Sequence, residues 1–530
     1  MKLRLSLLFC ILIVAASAFF VFSGALHYGF VWDDRELLFT GEAVNSSPAW
    51  KRIFLSSTDR LYRPARTISF ACDHSTGSGA AFTYHLTNLL LHALTSILVF
   101  MLVFELSSSI YPSLFSALLF AVHPLHAEVV CWISGGRADL LSAFFGLIAL
   151  FYYIRSRGAN KYSFVYFLLS LISFCVALLS KENAVIIPLL ILCYALLEKS
   201  SRRAGRRVIA VIPYFFILAA YIWLRFSVFG ETRQMFGYHG GSLRSTLLTM
   251  STVWSSYIRD IFMPTHLCPV YTVSIQQSFS TLVIFGIVFI IAASIVSIVA
   301  LFRKKLWGFG IAWFLVSLLP VSNIIPINAL KADRFMYFPS IGIFIIMGDL
   351  FHCLFFRSNR GEKNKSIAAA SFLAVTSFSV ILMAILTIRT VPAWKSNYSL
   401  WSHAVHCAPA SWGAFNNLGA ESFRLGRTDE AIAALKKASH LNPNGETIYN
   451  NLADVYGNAG NYRLALENLK ICARLNPESA ETYYKIGFAL AKLGELQEAK
   501  DNYETALAKS GDSIQLRAVL QNALRRLNEK

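Results

Sequence analysis

Acidic residues are scarce in this 530-residue chain. Asp and Glu number 30 against 48 Lys and Arg, and charges of both signs make up only 15% of the sequence. That scarcity excludes a protein soluble along its whole length: 55% of the residues are hydrophobic, 14% are aromatic, and the mean hydropathy is +0.52, values that belong in a bilayer. Closely paired cysteines are missing too. The nine cysteines stand singly, mostly inside apolar runs and with no CxxC spacing, so the spacing indicates neither a zinc site nor a disulfide framework. Nor is there a basic face of the kind that holds nucleic acid. The net charge of +18 comes from clusters in short loops between apolar runs: Lys2 and Arg4; Arg155, Arg157 and Lys161; five residues within 199–207; Arg303, Lys304 and Lys305; and four within 357–365. This is the positive-inside distribution, which orients a membrane protein and excludes nucleic acid as its partner.

What is present is a series of apolar runs followed by a polar tail. The first run, 5–22, reads as a retained anchor rather than a cleaved leader, because its small-residue stretch Ala15-Ala16-Ser17-Ala18 continues into more apolar residues and many later spans. Further spans are expected at 83–105, 111–131, 138–154, 162–180, 184–198, 206–226, 279–302, 307–328, 334–356 and 366–389, several near the lower length limit. The stretch 243–265 is apolar but interrupted by Arg244, Arg259 and Asp260. Read as a surface or re-entrant amphipathic helix, it leaves eleven crossings and every basic cluster in the cytoplasm. The N-terminus then lies inside, and the loop 23–82 and the C-terminus lie outside.

From about Trp394 the composition turns to Asn, Glu, Lys and Ala, and the chain repeats itself every 34 residues. Pro409, Pro443 and Pro477 are in register, as are Phe415, Tyr449 and Tyr483; Gly419, Ala453 and Gly487; Gly426, Gly460 and Gly494; and Ala431, Ala465 and Ala499. This is the tetratricopeptide pattern, in which small residues let two antiparallel helices approach and proline ends each unit. The repeats are expected at 412–445, 446–479 and 480–513, with a leading helix at 396–406 and a capping helix at 514–528. The fold class is therefore all-α: a polytopic membrane bundle over 1–392, then a tetratricopeptide solenoid over 393–530.

Polar residues beside membrane spans are costly and so informative. By this topology the outer side collects Asp33, Asp34, Arg63, His123, His126, Glu128, Arg137, Asp139, Lys181, Glu182, Asp333 and Arg334, the enrichment expected of a cleft that opens outward. Asp33-Asp34 stands where the first span leaves the membrane. One of the pair acts as a base, or one of them caps a helix beginning at Arg35. Packing two carboxylates together also raises the pKa of one of them, which makes it the better base. His123-Pro124-Leu125-His126-Ala127-Glu128 has metal-ligand residue types but a proline that breaks any shared helical face. Metal ligation, structural hydrogen bonding and substrate binding all remain open there. Lys181-Glu182 reads as an interfacial ion pair or as a phosphate contact, and Asp333-Arg334 reads similarly, with Arg334 favoured because a guanidinium fork fits phosphate oxygens. His85, Asn88 and His92, at helical spacing, read as contacts between helices.

Taken in order, Phe30-Val31-Trp32-Asp33-Asp34, Phe120 to Glu128, Gly136-Arg137-Ala138-Asp139-Leu140-Leu141, Ser180-Lys181-Glu182, Arg334 to Ser340 and the repeats resemble the transmembrane and tetratricopeptide repeat-containing O-mannosyltransferases, which with their bacterial relatives are GT-C membrane glycosyltransferases. The resemblance covers nearly the whole chain, which departs from the animal members in having about three repeats. It implies an inverting enzyme that takes a sugar from a polyprenyl-phosphate carrier and passes it to a protein hydroxyl. Asp33 and Asp34 would be catalytic, and Arg63, His126, Glu128, Arg137, Lys181, Glu182 and Arg334 would bind the donor phosphate or substrate. No metal ligands and no cofactor are assigned, a divalent cation being the one requirement left open. The expected partners are the lipid-linked sugar, membrane lipid and a protein acceptor held by the repeats. The short repeat array suits a bacterial inner membrane with periplasmic repeats; in a eukaryote the setting would be the endoplasmic reticulum, with the repeats luminal. Two rivals are a non-catalytic repeat scaffold that assembles envelope complexes and a transporter. Outward-facing charges exceed what an anchor needs, and a transporter calls for repeated span architecture and mid-bilayer charges.

Overall fold

The computed structural model describes residues 2–39, 62–158, 161–198, 209–229, 236–357, 362–511 and 513–528. Every regular element among them is helical, and the chain divides into two compact units, Met1–Ser396 and Asn397–Lys530. The middle of the first loop, 40–61, and the basic cluster at 199–207 lie outside the described residues.

In the first unit α1 (Lys2–Phe22) leads to the short α2 (Asp34–Phe39), and α3 (Pro64–Gly77) precedes the long α4 (Ala81–Ser107). α5 (Ile110–Val122) bends by 52° into a turn at Pro124–His126 and the one-turn α6 (Ala127–Cys131). The bend follows from Pro124, which has no N–H to continue the ladder and whose ring collides with the preceding turn. Then come α7 (Ile133–Ser156), α8 (Ser163–Ser180), α9 (Ile187–Leu197), α10 (Ile212–Phe229), α11 (Leu243–Phe262), α12 (Thr281–Phe302), α13 (Leu306–Ser317), α14 (Ser340–His352) and α15 (Glu362–Thr390).

Six helices among the described residues are long and apolar enough to cross a membrane: Arg4–His27, Ala81–Ser107, Ile133–Ser156, Ser163–Ser180, Thr281–Phe302 and Ile367–Trp394. The bent pair α5 and α6 makes a seventh, and four shorter apolar helices lie at Glu182–Leu197, Ile212–Val228, Leu306–Val321 and Ser340–Phe356. Together these overlap the eleven stretches expected to span. α11 is not among them. It buries Leu248, Val253, Trp254, Tyr257 and Ile261 and leaves Arg244 and Arg259 exposed, the division of an amphipathic helix. Cys268, just beyond it, is disulfide-bonded, a bond that its isolation in the sequence does not announce.

With lipid as solvent, helices associate through close packing rather than through the hydrophobic effect, and small residues permit it. α13 crosses α14 at Gly310 and Gly342: a Cβ at either would stand 2.6 or 2.4 Å from the other's carbonyl oxygen. α4 packs on α5 and α7, and α7 packs on α8.

The second unit opens with α16 (Asn397–Cys407) and continues as three helix pairs, α17 (Trp412–Arg424) with α18 (Thr428–Leu441), α19 (Glu446–Asn458) with α20 (Tyr462–Leu475), and α21 (Ala480–Leu493) with α22 (Leu496–Lys509). α23 (Ile514–Asn528) ends it. The 34-residue columns have a direct cause. A Cβ at Gly419 would lie 2.5 Å from Leu435, and one at Gly487 would lie 2.7 Å from Tyr503, so in the first and third pairs a side chain there would hold the two helices apart, while the middle pair buries the small Ala453 at the same place. Gly426, Gly460 and Gly494 turn the chain between paired helices at φ of +77°, +77° and +86°, a region open to glycine at no steric cost.

Candidate active site

Asp33 and Asp34 are presented by a tight turn that leaves α1 and enters α2. Trp32 takes a left-handed φ of +57°, strained for a bulky residue, and its ring stacks on Trp132 at 4.7 Å. Asp34 closes the turn on itself: its Oδ2 accepts the Val31 N–H at 2.9 Å, and its Oδ1 accepts the Ser134 N–H at 2.7 Å. The residue is 0% exposed. Burial pushes the Asp34 carboxyl up to about 7, against the pull of its hydrogen bonds, and the neighbouring Asp33 charge is the last of the causes. The elevation anticipated from carboxylate repulsion thus has a different main origin, desolvation. Asp33 is half-buried. Its Oδ1 accepts the Ser134 hydroxyl at 2.7 Å and the Trp132 indole N–H at 3.1 Å, and no described residue donates to its Oδ2. One carboxylate is locked in the fold; the other has an oxygen to offer.

Trp132 and Ser134 reach this turn because α6 folds back against the start of α7. Gly136 makes that possible, since a Cβ there would sit 1.9 Å from the Val129 carbonyl oxygen. Trp132 also stacks on Trp394 at 6.3 Å, and the Arg334 guanidinium lies 5.3 Å from its ring centre. An indole therefore joins the Asp33 carboxylate to a cation.

Around that cation runs a chain of ion pairs. Glu128, buried, accepts the Arg334 backbone N–H at 2.8 Å and pairs with its guanidinium. Lys181 donates to Asp139 Oδ2 at 2.6 Å. Arg63 grips Glu182 with two bonds of 2.8 and 3.2 Å, and Arg225 stands 3.8 Å from the same carboxylate. Asp139, Asn183, Ser142, Ser317, Arg334 and Tyr337 line a small cavity of about 30 Å³, room for a water. Beside it Asp333 accepts the Tyr271 hydroxyl at 2.5 Å, and burial together with the charge of Glu128 holds its carboxyl well above the usual range.

The structure thus gathers Asp33, Asp34, Arg63, Glu128, Lys181, Glu182 and Arg334 at one end of the bundle. His126 and Arg137 are enclosed instead. His126 Nδ1 is 2.8 Å from the Phe120 carbonyl and Nε2 is 3.2 Å from Ser340 Oγ. Arg137, 0% exposed, makes four hydrogen bonds to Asn88, Ser69, Asp73 and the Tyr84 carbonyl, tying α3, α4 and α7 together. His123 is likewise engaged, with Nε2 at 2.9 Å from the Ile261 carbonyl. Among the described residues no group of three or more His, Cys, Asp or Glu is placed to hold a metal ion. Trp132, Ser134 and Asn183 carry no signal in the sequence that marks them for the site, and Asp139 stands out there only as one of the outward-facing charges. Neither Trp132 nor Ser134 belongs to a charged or repeating pattern, and Gly135-Gly136 behind them is the local sign of a close backbone approach.

Fold and site together define a class: a polytopic helical membrane protein with a buried polar cluster at one end of the bundle, followed along the chain by tetratricopeptide repeats. The sequence profile of the dolichyl-phosphate-mannose-protein mannosyltransferase family matches residues 77–226, and tetratricopeptide-repeat profiles match 419–460, 446–479 and 480–508. A protein O-mannosyl-transferase of Caenorhabditis elegans is 26% identical over 459 residues, covering 82% of this chain and 63% of its own length. The Homo sapiens protein O-mannosyl-transferase TMTC3 is 22% identical over 467 residues, covering 79% and 50%. Tmtc1 of Drosophila melanogaster is 33% identical over 189 residues, covering 34% and 21%. The particular family these matches support is the TMTC-like one, transmembrane and tetratricopeptide repeat-containing. The chain spans 63% and 50% of the length of the first two relatives.

Proposed function

We propose that this chain is an inverting membrane glycosyltransferase, moving a sugar, mannose by likeness to its relatives, from a polyprenyl-phosphate carrier to a hydroxyl of a protein acceptor. The observation that carries the reading is Asp33: a half-buried carboxylate whose Oδ1 is held by Trp132 and Ser134, whose Oδ2 has no donor among the described residues, and which stands a single indole away from Arg334. The acceptor hydroxyl gives its proton to Asp33 Oδ2 as its oxygen attacks the anomeric carbon. The bond from that carbon to the phosphate oxygen breaks on the opposite face, so configuration inverts and the lipid phosphate leaves with the bonding pair. Arg334, Lys181 and Arg63 supply positive charge where that phosphate departs, and their carboxylate partners keep the cations fixed before substrate arrives.

A lipid-linked donor suits the location, because its chain needs the bilayer and its sugar needs the surface. The repeats hold the acceptor chain, as stacked helix pairs commonly do. The reading places the site and the repeats on the non-cytoplasmic side, as the basic clusters require. The test incubates the purified protein with radiolabelled polyprenyl-phosphate mannose and candidate acceptor proteins. Label in protein with the wild type and a loss of at least about a hundredfold with Asp33→Asn supports the enzyme. Binding of partners without transfer by the wild type would leave the scaffold reading.

A further inference from the structure

A second cavity, of about 630 Å³, lies at the opposite end of the bundle from Asp33, and nothing in the proposed reaction uses it. Its position follows from two helices. α4 carries Asn88, which bonds Arg137, near its start and Glu105 near its end, while α7 carries Arg137 and Asp139 near its start and Arg155 near its end. At 1.5 Å per residue the stretches from Asn88 to Glu105 and from Asp139 to Arg155 put about 25 Å between the two ends, most of a bilayer's hydrocarbon core.

The walls of this cavity combine three consecutive cations with an indole and apolar side chains: Arg303, Lys304, Lys305, Trp307, Tyr194 and Leu197. Three carboxylates also reach it, and each is engaged. Glu105 pairs with Arg155 at 3.0 Å, Glu198 lies 3.8 Å from Arg157, and Asp349 accepts the Trp307 N–H at 3.1 Å. His352 Nε2 is 3.3 Å from Ser109 Oγ. Lys304, at a left-handed φ of +56°, donates to the Leu196 carbonyl. That leaves Arg303 and Lys305, exposed and without a partner among the described residues, at the mouth of a space too large to be packing slack. Apolar surface flanks the mouth, with Phe302, Leu350 and Leu354 exposed by 66%, 47% and 67%.

We propose that this cavity binds the phosphate headgroup of an anionic membrane lipid in the leaflet opposite the active site. Arg303 and Lys305 take the phosphate oxygens, Trp307 and Tyr194 line the headgroup, and the acyl chains lie against Phe302, Leu350 and Leu354. A basic pocket between spans, on the side marked by the positive clusters, is where such headgroups dock. A free inorganic anion offers the same charge but has no use for the apolar rim.

The experiment measures lipid retained by the full-length protein in detergent, by native mass spectrometry after exchange into micelles doped with phosphatidylglycerol or with phosphatidylcholine. The wild type is expected to hold one phosphatidylglycerol in preference to phosphatidylcholine. Arg303→Gln/Lys305→Gln should weaken that retention by about thirtyfold, the scale for removing two cations at a charged surface. The charge-preserving Arg303→Lys/Lys305→Arg should retain it, and Arg4→Gln, which removes a basic residue elsewhere in the chain, should leave it unchanged. Equal retention of both lipids, or no loss in the double Gln variant, overturns the site. Displacement of the lipid by millimolar inorganic phosphate, with the phosphate bound as tightly, overturns the lipid assignment in favour of a free anion.

Discussion

Replacing Asp33 and Asp34 one at a time by Asn separates chemistry from architecture, because the amide keeps the shape but cannot take a proton. In Asp33→Asn the remaining carbonyl oxygen still accepts from Ser134 at 2.7 Å and Trp132 at 3.1 Å, so the fold loses at most about 0.5–1.5 kcal/mol. Transfer should nonetheless fall at least about a hundredfold, roughly 2.7 kcal/mol of barrier, the scale of a lost general base. In Asp34→Asn the amide must point its NH₂ at either the Val31 or the Ser134 N–H, donor against donor inside the protein, which costs about 1.5–3 kcal/mol of stability. The wild type should also show a pH signature in stability. Because burial raises the folded pKa of Asp34 to about 7, its contribution is complete below the ordinary carboxylate range and is lost as pH rises through about 7. Thermal midpoints followed by tryptophan fluorescence should therefore fall across that window in the wild type and show a flatter profile in Asp34→Asn. Initial rates with labelled donor, read beside those midpoints, decide the case. Near-normal transfer by Asp33→Asn, or a loss of transfer no larger than its loss of stability explains, would refute the assignment of the base.

The other expectations test the surroundings of the pair. Arg334→Ala should weaken donor binding about tenfold or more and also destabilise the protein by stranding buried Glu128; Glu128→Gln/Arg334→Gln should restore the stability but not the binding, as checked by titration with a polyprenyl phosphate. Arg137→Ala, which strands Asp73 in the interior, should cost about 3–5 kcal/mol and lower the thermal midpoint sharply. A chain ending at residue 396 should bind donor as the full chain does yet glycosylate its protein acceptor poorly, and full-rate glycosylation would assign the repeats another partner. An alkaline phosphatase fused after Lys530 should be active only outside the cytoplasm, and a cytoplasmic fusion would mean an even number of crossings.

Much of the architecture was legible because it is written in local, periodic signals. An apolar run long enough for a bilayer identifies itself whatever its neighbours, and five residue columns at a 34-residue spacing identify stacked helix pairs before any packing is seen. The bend at Pro124 and the two-faced character of α11 belong to the same kind of information. The acidic pair stood out for a similar reason: charge is rare in this chain, so each charged residue beside a span is a signal.

What the sequence alone determined, then, is the set of helices, the repeat, and a short roll of polar residues from which a site would be built. Which of those residues face a substrate was decided only by the tertiary structure. Asp34 is fastened by Ser134, 100 residues away; Arg63 by Glu182, 119 away; Glu128 by Arg334, 206 away. No periodicity spans such separations. Arg137 and Arg334 look alike in the sequence, each an arginine near an aspartate beside a span. Yet Arg137 is consumed by four partners inside the bundle, while Arg334 lies against the Trp132 ring, whose indole N–H bonds Asp33. A buried charge must be matched by partners wherever the fold brings them, and the fold alone sets which matches leave an atom free for chemistry.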